Sequence, residues 1–251
     1  MRRLVKNDLG MKSRAVVTKN RINPNQMGRR KERCKGILNW LKQGANKETV
    51  LIFSDEKLFH VDPMLNRRNV RYISDLPHTE VSSDIKYNPR TKHAAKVMVL
   101  GVVASDGQKC PPIFVGENEK INAEAYQGLL RAHVLPWLAD TYPSGNYCWT
   151  QDGAPAHTAR TTQRLLGEEM SEFWGSEFWP PSAPELNPLD YSIWSYLQEK
   201  ACNKTHSSVT ALKRSILAAW DSMSDEYIRK VCSTFRRRVQ AVVDADGGFI
   251  E

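Results

Sequence analysis

Leu51-Ile52-Phe53-Ser54-Asp55-Glu56-Lys57-Leu58-Phe59-His60 decides how the chain is read. Three apolar residues run into adjacent acids, and apolar residues resume at Leu58. A desolvated carboxylate is costly unless it is paired or binds a metal, so an acid on a buried strand calls for partners. Side chains alternate across a strand, which sends Asp55 and Glu56 to opposite faces. Asp55 is assigned to the site and Glu56 to a structural contact. Leu58 to Val61 is expected to form the strand's hairpin partner.

A second apolar run ends the same way. Tyr147-Cys148-Trp149-Thr150-Gln151-Asp152 is followed by Gly153, Pro155 and His157, so the chain turns just after Asp152. An acid at a strand's C-terminal end is where open sheets build sites. A third acid lies in Pro184-Glu185-Leu186-Asn187-Pro188-Leu189-Asp190, which opens a helix with Ile193, Trp194 and Leu197 on its buried side. Asp190 falls at the positive end of that helix, facing the core; a plain N-cap is its alternative role. Glu185 and Glu199 are rival acids. Glu199, nine residues onward, faces roughly away, which leaves Glu185 as the stronger rival. His157 orients a substrate, supports Asp152 or is an ordinary hydrogen-bonded histidine.

The remaining periodicity fills in a frame. Ala94 to Val103 reads as a strand, Asp106-Gly107 as a turn, and Pro112 to Val115 as a second short strand. Helical spacing covers Asn122 to Trp137, ending near Pro136, then Thr158 to Met170, Val209 to Trp220 and Tyr227 to Val243. Phe178-Trp179 reads as a short strand before the rigid Pro180-Pro181 turn. The expected class is α/β, a hairpin-led mixed sheet flanked by helices. Three carboxylates gathered on it would repel one another unless a divalent cation sits among them. Magnesium or manganese suits oxygen ligands, and two such ions ~3.5–4 Å apart serve phosphodiester cleavage.

Charge is distributed unevenly. Residues 1 to 50 hold 14 Lys or Arg against three acids, whereas the other 201 hold 22 against 25. A basic arm on a near-neutral domain points to a polyanion, most often nucleic acid. Within it, Met27 to Gln43 reads as an amphipathic helix with Arg29, Arg30, Lys31, Arg33 and Lys35 as DNA-contact candidates. A polar segment from Pro63 to His93 adds Arg67, Arg68, Arg71, Arg90 and Lys92. The boundary is drawn after residue 48: a basic tail, linker and helix over 1–48, and the acid-bearing domain over 49–251. Five scattered cysteines without a C-x-x-C read as buried free thiols. No apolar run reaches the roughly 18 residues of a membrane span, and no signal-peptide core follows Met1, so an intracellular chain without membrane contact is expected.

These blocks resemble the mariner-type transposases of the Tc/mariner superfamily, along most of the chain. Ser54-Asp55-Glu56-Lys57 is similar to the first catalytic block. Gln151-Asp152-Gly153-Ala154-Pro155-Ala156-His157-Thr158 is similar to the second, often H-D-N-A-P, from which Gln151 and Gly153 depart. Pro184-Glu185-Leu186-Asn187-Pro188-Leu189-Asp190-Tyr191 is similar to the third. The 37 residues between Asp152 and Asp190 resemble the subgroup with a late third aspartate, and Asp244-Ala245-Asp246-Gly247-Gly248 a mariner ending. The resemblance implies a ribonuclease H-like fold with Asp55, Asp152 and Asp190 as catalytic metal ligands for Mg²⁺, or Mn²⁺ in its place. It implies cleavage at terminal inverted repeats, attack of the freed 3′ hydroxyl on a TA target, double-stranded DNA as partner, a homodimer and a nuclear location. Met1 to Leu9 resembles the tail of a second helix-turn-helix, so the upstream DNA-reading modules are expected to be missing. The alternative from another class is a catalytically silent DNA-binding or assembly protein derived from a mobile element.

Overall fold

The computed structural model describes residues 21–43, 48–62, 72–86, 92, 94–116 and 121–250. Helix α1 (Pro24–Lys42) opens on a capping box: Asn23 accepts from the Gln26 amide while the Gln26 side chain accepts from the Asn23 N–H. Two otherwise orphaned donors are satisfied there, and Pro24 fits the first turn because its missing N–H is not needed.

Strand β1 (Val50–His60) runs unbroken through the acids. The expected fold-back at Leu58 does not occur, because nothing between Asp55 and Leu58 can make a tight turn. The chain instead makes a long excursion that includes a helical turn, α2 (Ser83–Lys86), and returns as β2 (Lys96–Ala104), antiparallel to β1. A turn at Gly107 (φ +102°) leads to the short β3 (Ile113–Phe114).

Helix α3 (Ala123–Leu129) passes through a π turn, Leu130–Val134, straight into α4 (Leu135–Thr141). The helix therefore does not end near Pro136. The wider π turn removes the clash that the proline ring would make with the carbonyl four residues back. Strand β4 (Tyr147–Thr150) follows, parallel to β1. The sheet order is β3-β2-β1-β4, a mixed sheet.

Two short helices, α5 (Pro155–Thr158) and α6 (Arg160–Glu169), stand where one was expected. Phe178-Trp179 forms no strand; the sheet contact falls earlier, in an isolated parallel bridge between Phe173 and Trp149. A π turn at Leu189–Ile193 continues as α7 (Trp194–Ala201), followed by α8 (Val209–Asp221), α9 (Asp225–Ser233) and α10 (Phe235–Asp244). The single expected helix over Tyr227 to Val243 breaks at Thr234, whose hydroxyl bonds back to the Val231 carbonyl and across to Tyr191. Such local bonding competes with the helix ladder.

Each face of the sheet carries its own core, as the alternation of β1 requires. Leu51, Phe53 and Phe59 pack with Trp194, Trp220 and Phe235 on one face. Ile52 packs with Leu100, Tyr126, Leu130 and Trp149 on the other. Cys34, Ile37 and Leu38 of α1 belong to the first core, and α1 lies along α10. A boundary after residue 48 thus does not part α1 from the folded body. All five cysteines are buried and free. No helix among the described residues is long and apolar enough to cross a membrane.

Candidate active site

The ladder between β1 and β4 pairs Phe53 with Thr150. Two residues further along each chain bring Asp55 and Asp152 to the same level at the end of β4. Asp152 lies just past the strand. Its Oδ1 accepts the Ala154 amide at 2.9 Å and the Nδ1–H of His157 at 2.6 Å. The far nitrogen, Nε2, meets Glu56 Oε1 at 3.3 Å. Glu56 does point to the face opposite Asp55, yet it still reaches the site through the imidazole. His157 is 2% exposed, with the Tyr126 ring tilted against it, 4.3 Å between centroids. Burial opposes its charge, but the hydrogen bonds to Asp152 and Glu56 prevail and hold the ring protonated up to about 10. Burial likewise raises Asp152, and the His157 bond and charge with the Ala154 amide more than offset it, so this carboxyl sits below its ordinary value. His157 is therefore not a DNA contact; it supports Asp152.

Asp190 enters in the π turn that opens α7. Its approach is fixed by Asn187, which is buried. The Asn187 side chain donates to the Ser54 carbonyl at 2.9 Å and accepts from the Leu189 amide at 3.1 Å. One residue thus caps the helix of the third acid and ties it to the strand of the first. Asp55 and Asp190 are near enough for each to shift the other's proton affinity. Burial, then the charge of Asp190, raises the proton affinity of Asp55; burial raises that of Asp190, with Lys57 pulling the other way.

The rivals stand elsewhere. Glu185 is ion-paired with Arg30, and Glu199 is exposed on α7. Arg30, a DNA-contact candidate, is fully buried. It donates to Glu185 and to the carbonyls of Gly247, Pro181 and Ser182. It joins α1 to the segment that carries Asp190 and cannot meet a phosphate. Arg238 holds the same segment by donating to the Glu185 carbonyl at 2.6 Å.

A cleft of about 640 Å³ opens from Asp152 and Asp190 and runs between Pro180-Pro181 and α1, where Arg29 and Arg33 line it. Arg33 is also paired with Glu177 and donates to the Trp179 carbonyl. Lys31 and Lys35 pair with Asp246 and Glu32 on the surface, and Lys92 is exposed. Arg67, Arg68, Arg71 and Arg90 lie outside the described residues.

Sequence reading missed Asn187, Gln151 and the role of Glu56. Gln151 accepts from Tyr126 and Trp149 and donates to the His157 carbonyl, bracing the turn that presents Asp152. Its departure from the family's usual His is the one signal that marked it.

Among the described residues, no three His, Cys, Asp or Glu side chains close into a complete metal cage. The donor set nevertheless fits a divalent ion. Asp55 and Asp190 are half-buried oxygen donors that make no ion pair among the described residues, and raised proton affinity means that they already favour a cation between them.

A family model described as DDE superfamily endonuclease matches residues 50–213. The Tc3 transposase of Caenorhabditis elegans is 27% identical over 211 residues, covering 83% of this chain and 57% of the relative. This chain thus spans less than two-thirds of that relative's length. Among solved structures, a Mos1 transposase paired-end complex superposes with a TM-score of 0.79 at 21% identity, covering 98% of this chain and 70% of that one. The Mos1 mariner catalytic domain gives 0.72 at 20% identity, covering 94% of this chain and all of the other. The fold is the ribonuclease H-like one expected. With the family model covering more than half of its length, the chain belongs to the DDE superfamily of endonucleases.

Proposed function

We propose that this chain is the catalytic region of a transposase that cuts double-stranded DNA at an element's terminal inverted repeats and joins the freed 3′ hydroxyl to a TA target. The observation that carries this reading is that Asp55 and Asp190 influence each other electrostatically, while Asp152 and Asp190 line one cleft together with Arg29 and Arg33. Asp55, Asp152 and Asp190 would hold Mg²⁺, or Mn²⁺ in its place. Bound divalent cations would supply charge neutralisation at the attacking and leaving oxygens.

The chain's own residues do the positioning. His157 fixes the Asp152 carboxylate, Asn187 fixes the helix of Asp190, and Pro180-Pro181 stiffens one wall of the cleft. Arg29 and Arg33 bind backbone phosphates there, with Lys31, Lys35 and Lys92 further out. Phosphate contacts fix register and orientation without reading sequence. Solved Mos1 neighbours are paired-end complexes with manganese and with magnesium. By that likeness a homodimer holding two DNA ends is proposed, acting in the nucleus.

The incomplete metal cage favours a second reading, a silent DNA-binding or assembly protein. Incubation with labelled, precleaved terminal DNA and a target duplex in Mg²⁺, Mn²⁺ or chelator separates the two. Metal-dependent joined or nicked product is expected, and it should vanish in Asp55→Ala, Asp152→Ala and Asp190→Ala. Well-folded protein that binds the duplex and yields no product with either metal supports the silent reading.

A further inference from the structure

Gly101 stands directly across the β1–β2 ladder from Asp55. A Cβ on Gly101 would lie 2.7 Å from Trp194 Cη2 and 3.3 Å from Cζ2, with Leu189 Cδ2 at 3.1 Å, so the bare backbone there makes room chiefly for the indole. Trp194 is 2% exposed and its ring packs edge-on against Phe59, 5.9 Å between centroids. Pinned between β2 and Phe59, the indole directs its Nε1–H at Asp55 Oδ2, at 2.5 Å. An indole nitrogen donates and cannot accept. Such pairing is not automatic in this protein, since the Nε1 atoms of Trp174 and Trp220 have no hydrogen-bond partner among the described residues. Trp194 also lies four residues after Asp190, one turn along the same helical path. The element that delivers the third acid therefore delivers the donor that grips the first.

We propose that Trp194 is a positioning residue for the metal site: its indole N–H reserves Oδ2 of Asp55, so that Asp55 offers Oδ1 alone, in one orientation, to a divalent cation. This rests on the metal-dependent reading above. Gly101 is the second half of the device, since it admits the ring. Groups that orient a ligand without touching the metal typically change its affinity about 10–100-fold when removed. Magnesium demands near-ideal octahedral geometry, so a ligand freed to rotate penalises Mg²⁺ most.

The test measures metal binding by the whole chain without DNA, reading Mn²⁺ by electron paramagnetic resonance and Mg²⁺ by competition against it. Thermal unfolding without metal confirms that each variant is folded. Wild type is expected to bind and Asp55→Ala to lose binding. Trp194→Phe keeps a buried ring without the donor and should weaken Mg²⁺ about 10-fold or more, with a smaller loss for Mn²⁺. Gly101→Ala should show the same pattern, because its methyl displaces the indole. Phenylalanine lacks the outer-ring atoms that the methyl would meet and leaves only the milder Leu189 contact, so Gly101→Ala added to Trp194→Phe should cost much less than it does in wild type. That suppression distinguishes a displaced indole from general damage to β2.

If Trp194→Phe and Gly101→Ala bind Mg²⁺ like wild type while Asp55→Ala does not, the positioning role is overturned and the metal site stands. If Gly101→Ala harms binding equally in both backgrounds, the indole is not the cause and the proposal falls. If folded wild type binds neither metal, the metal-dependent reading fails and takes this inference with it.

Discussion

Acids in this protein fall into two settings. Asp152 and Glu185 each own an internal cation, the protonated His157 and the buried Arg30. Asp55 and Asp190 form no ion pair among the described residues, and burial raises the proton affinity of both. An acid with its own cation is part of the scaffold's electrostatics. An acid without one is held in a state that only a proton or a bound cation relieves. The contrast separates carboxylates that build the site from those that wait for its ligand, and it places Asp152 on the boundary: anchored by the scaffold, yet open to the cleft.

The largest effect should come from stripping a scaffold acid of its cation. Arg30→Ala leaves Glu185 buried and uncompensated, and frees the carbonyls of Gly247, Pro181 and Ser182. Breaking a buried pair from one side typically costs about 3–5 kcal/mol, so denaturant unfolding should show a loss of that order. Replacing both partners, Arg30→Met with Glu185→Leu, should recover much of it. A double variant as weak as the single one would mean that the carbonyl contacts, not the charge pair, matter.

Relief of the unpaired acids comes next. Mg²⁺ or Mn²⁺ at about 100 times its dissociation constant should stabilise the wild-type fold by about 2.7 kcal/mol. The melting temperature should show this, and Asp55→Asn should abolish the shift. Arg30→Ala should keep it, since Arg30 does not touch the pair.

The two settings then predict opposite signs for the same conservative change without metal. Asp55 takes up a proton more readily in the fold than in the unfolded chain, so stability falls as pH rises above the ordinary carboxylate range of about 4. At neutral pH, Asp55→Asn removes that penalty and should stabilise by on the order of 1 kcal/mol. The Asn carbonyl can still accept from Trp194. Asp152→Asn should destabilise by about 1–2 kcal/mol, because His157 loses its nearer carboxylate. Equal signs in the two unfolding curves would break the contrast.

What the sequence shows follows the same division. Asp55 and Asp152 are legible because each interrupts or ends an apolar run, and burial makes an unexplained acid conspicuous. The mixed character of the sheet is legible in the same runs, but its order is not, because β1 pairs with β2 and β4 across long stretches of chain. Arg30 is misread because a basic residue on a basic helix looks solvated; its acceptors lie near residues 181–185 and 247, and only the fold brings them together. The Leu58 fold-back and the Pro136 stop fail for a local reason, the lack of a turn residue in one case and a π turn that absorbs the proline in the other. Asn187 and Trp194 are hidden for another reason. An Asn before a Pro and a Trp on an apolar face look like a turn and a core residue, and they are both; their second bonds, to Ser54 and Asp55, belong to tertiary structure.

The smallest effect should come from the outer member of the chain that anchors Asp152. Glu56 meets His157 at 3.3 Å, whereas Asp152 meets it at 2.6 Å. Glu56→Gln keeps an acceptor for Nε2–H and removes one of the two negative charges beside the ring. His157 is raised to about 10 in the fold from an ordinary value near 6.5, so its stabilising contribution is complete below about 6.5 and is lost as pH rises through about 10. In Glu56→Gln the upper edge of that window should move down while staying above the ordinary value, because the nearer carboxylate remains. Stability at neutral pH should change by less than about 1 kcal/mol. An NMR titration of the His157 ring in metal-free protein reads the edge directly. A ring that titrates near its ordinary value in Glu56→Gln would show that Asp152 alone does not hold the imidazolium, and would move Glu56 from the margin of the site to its centre.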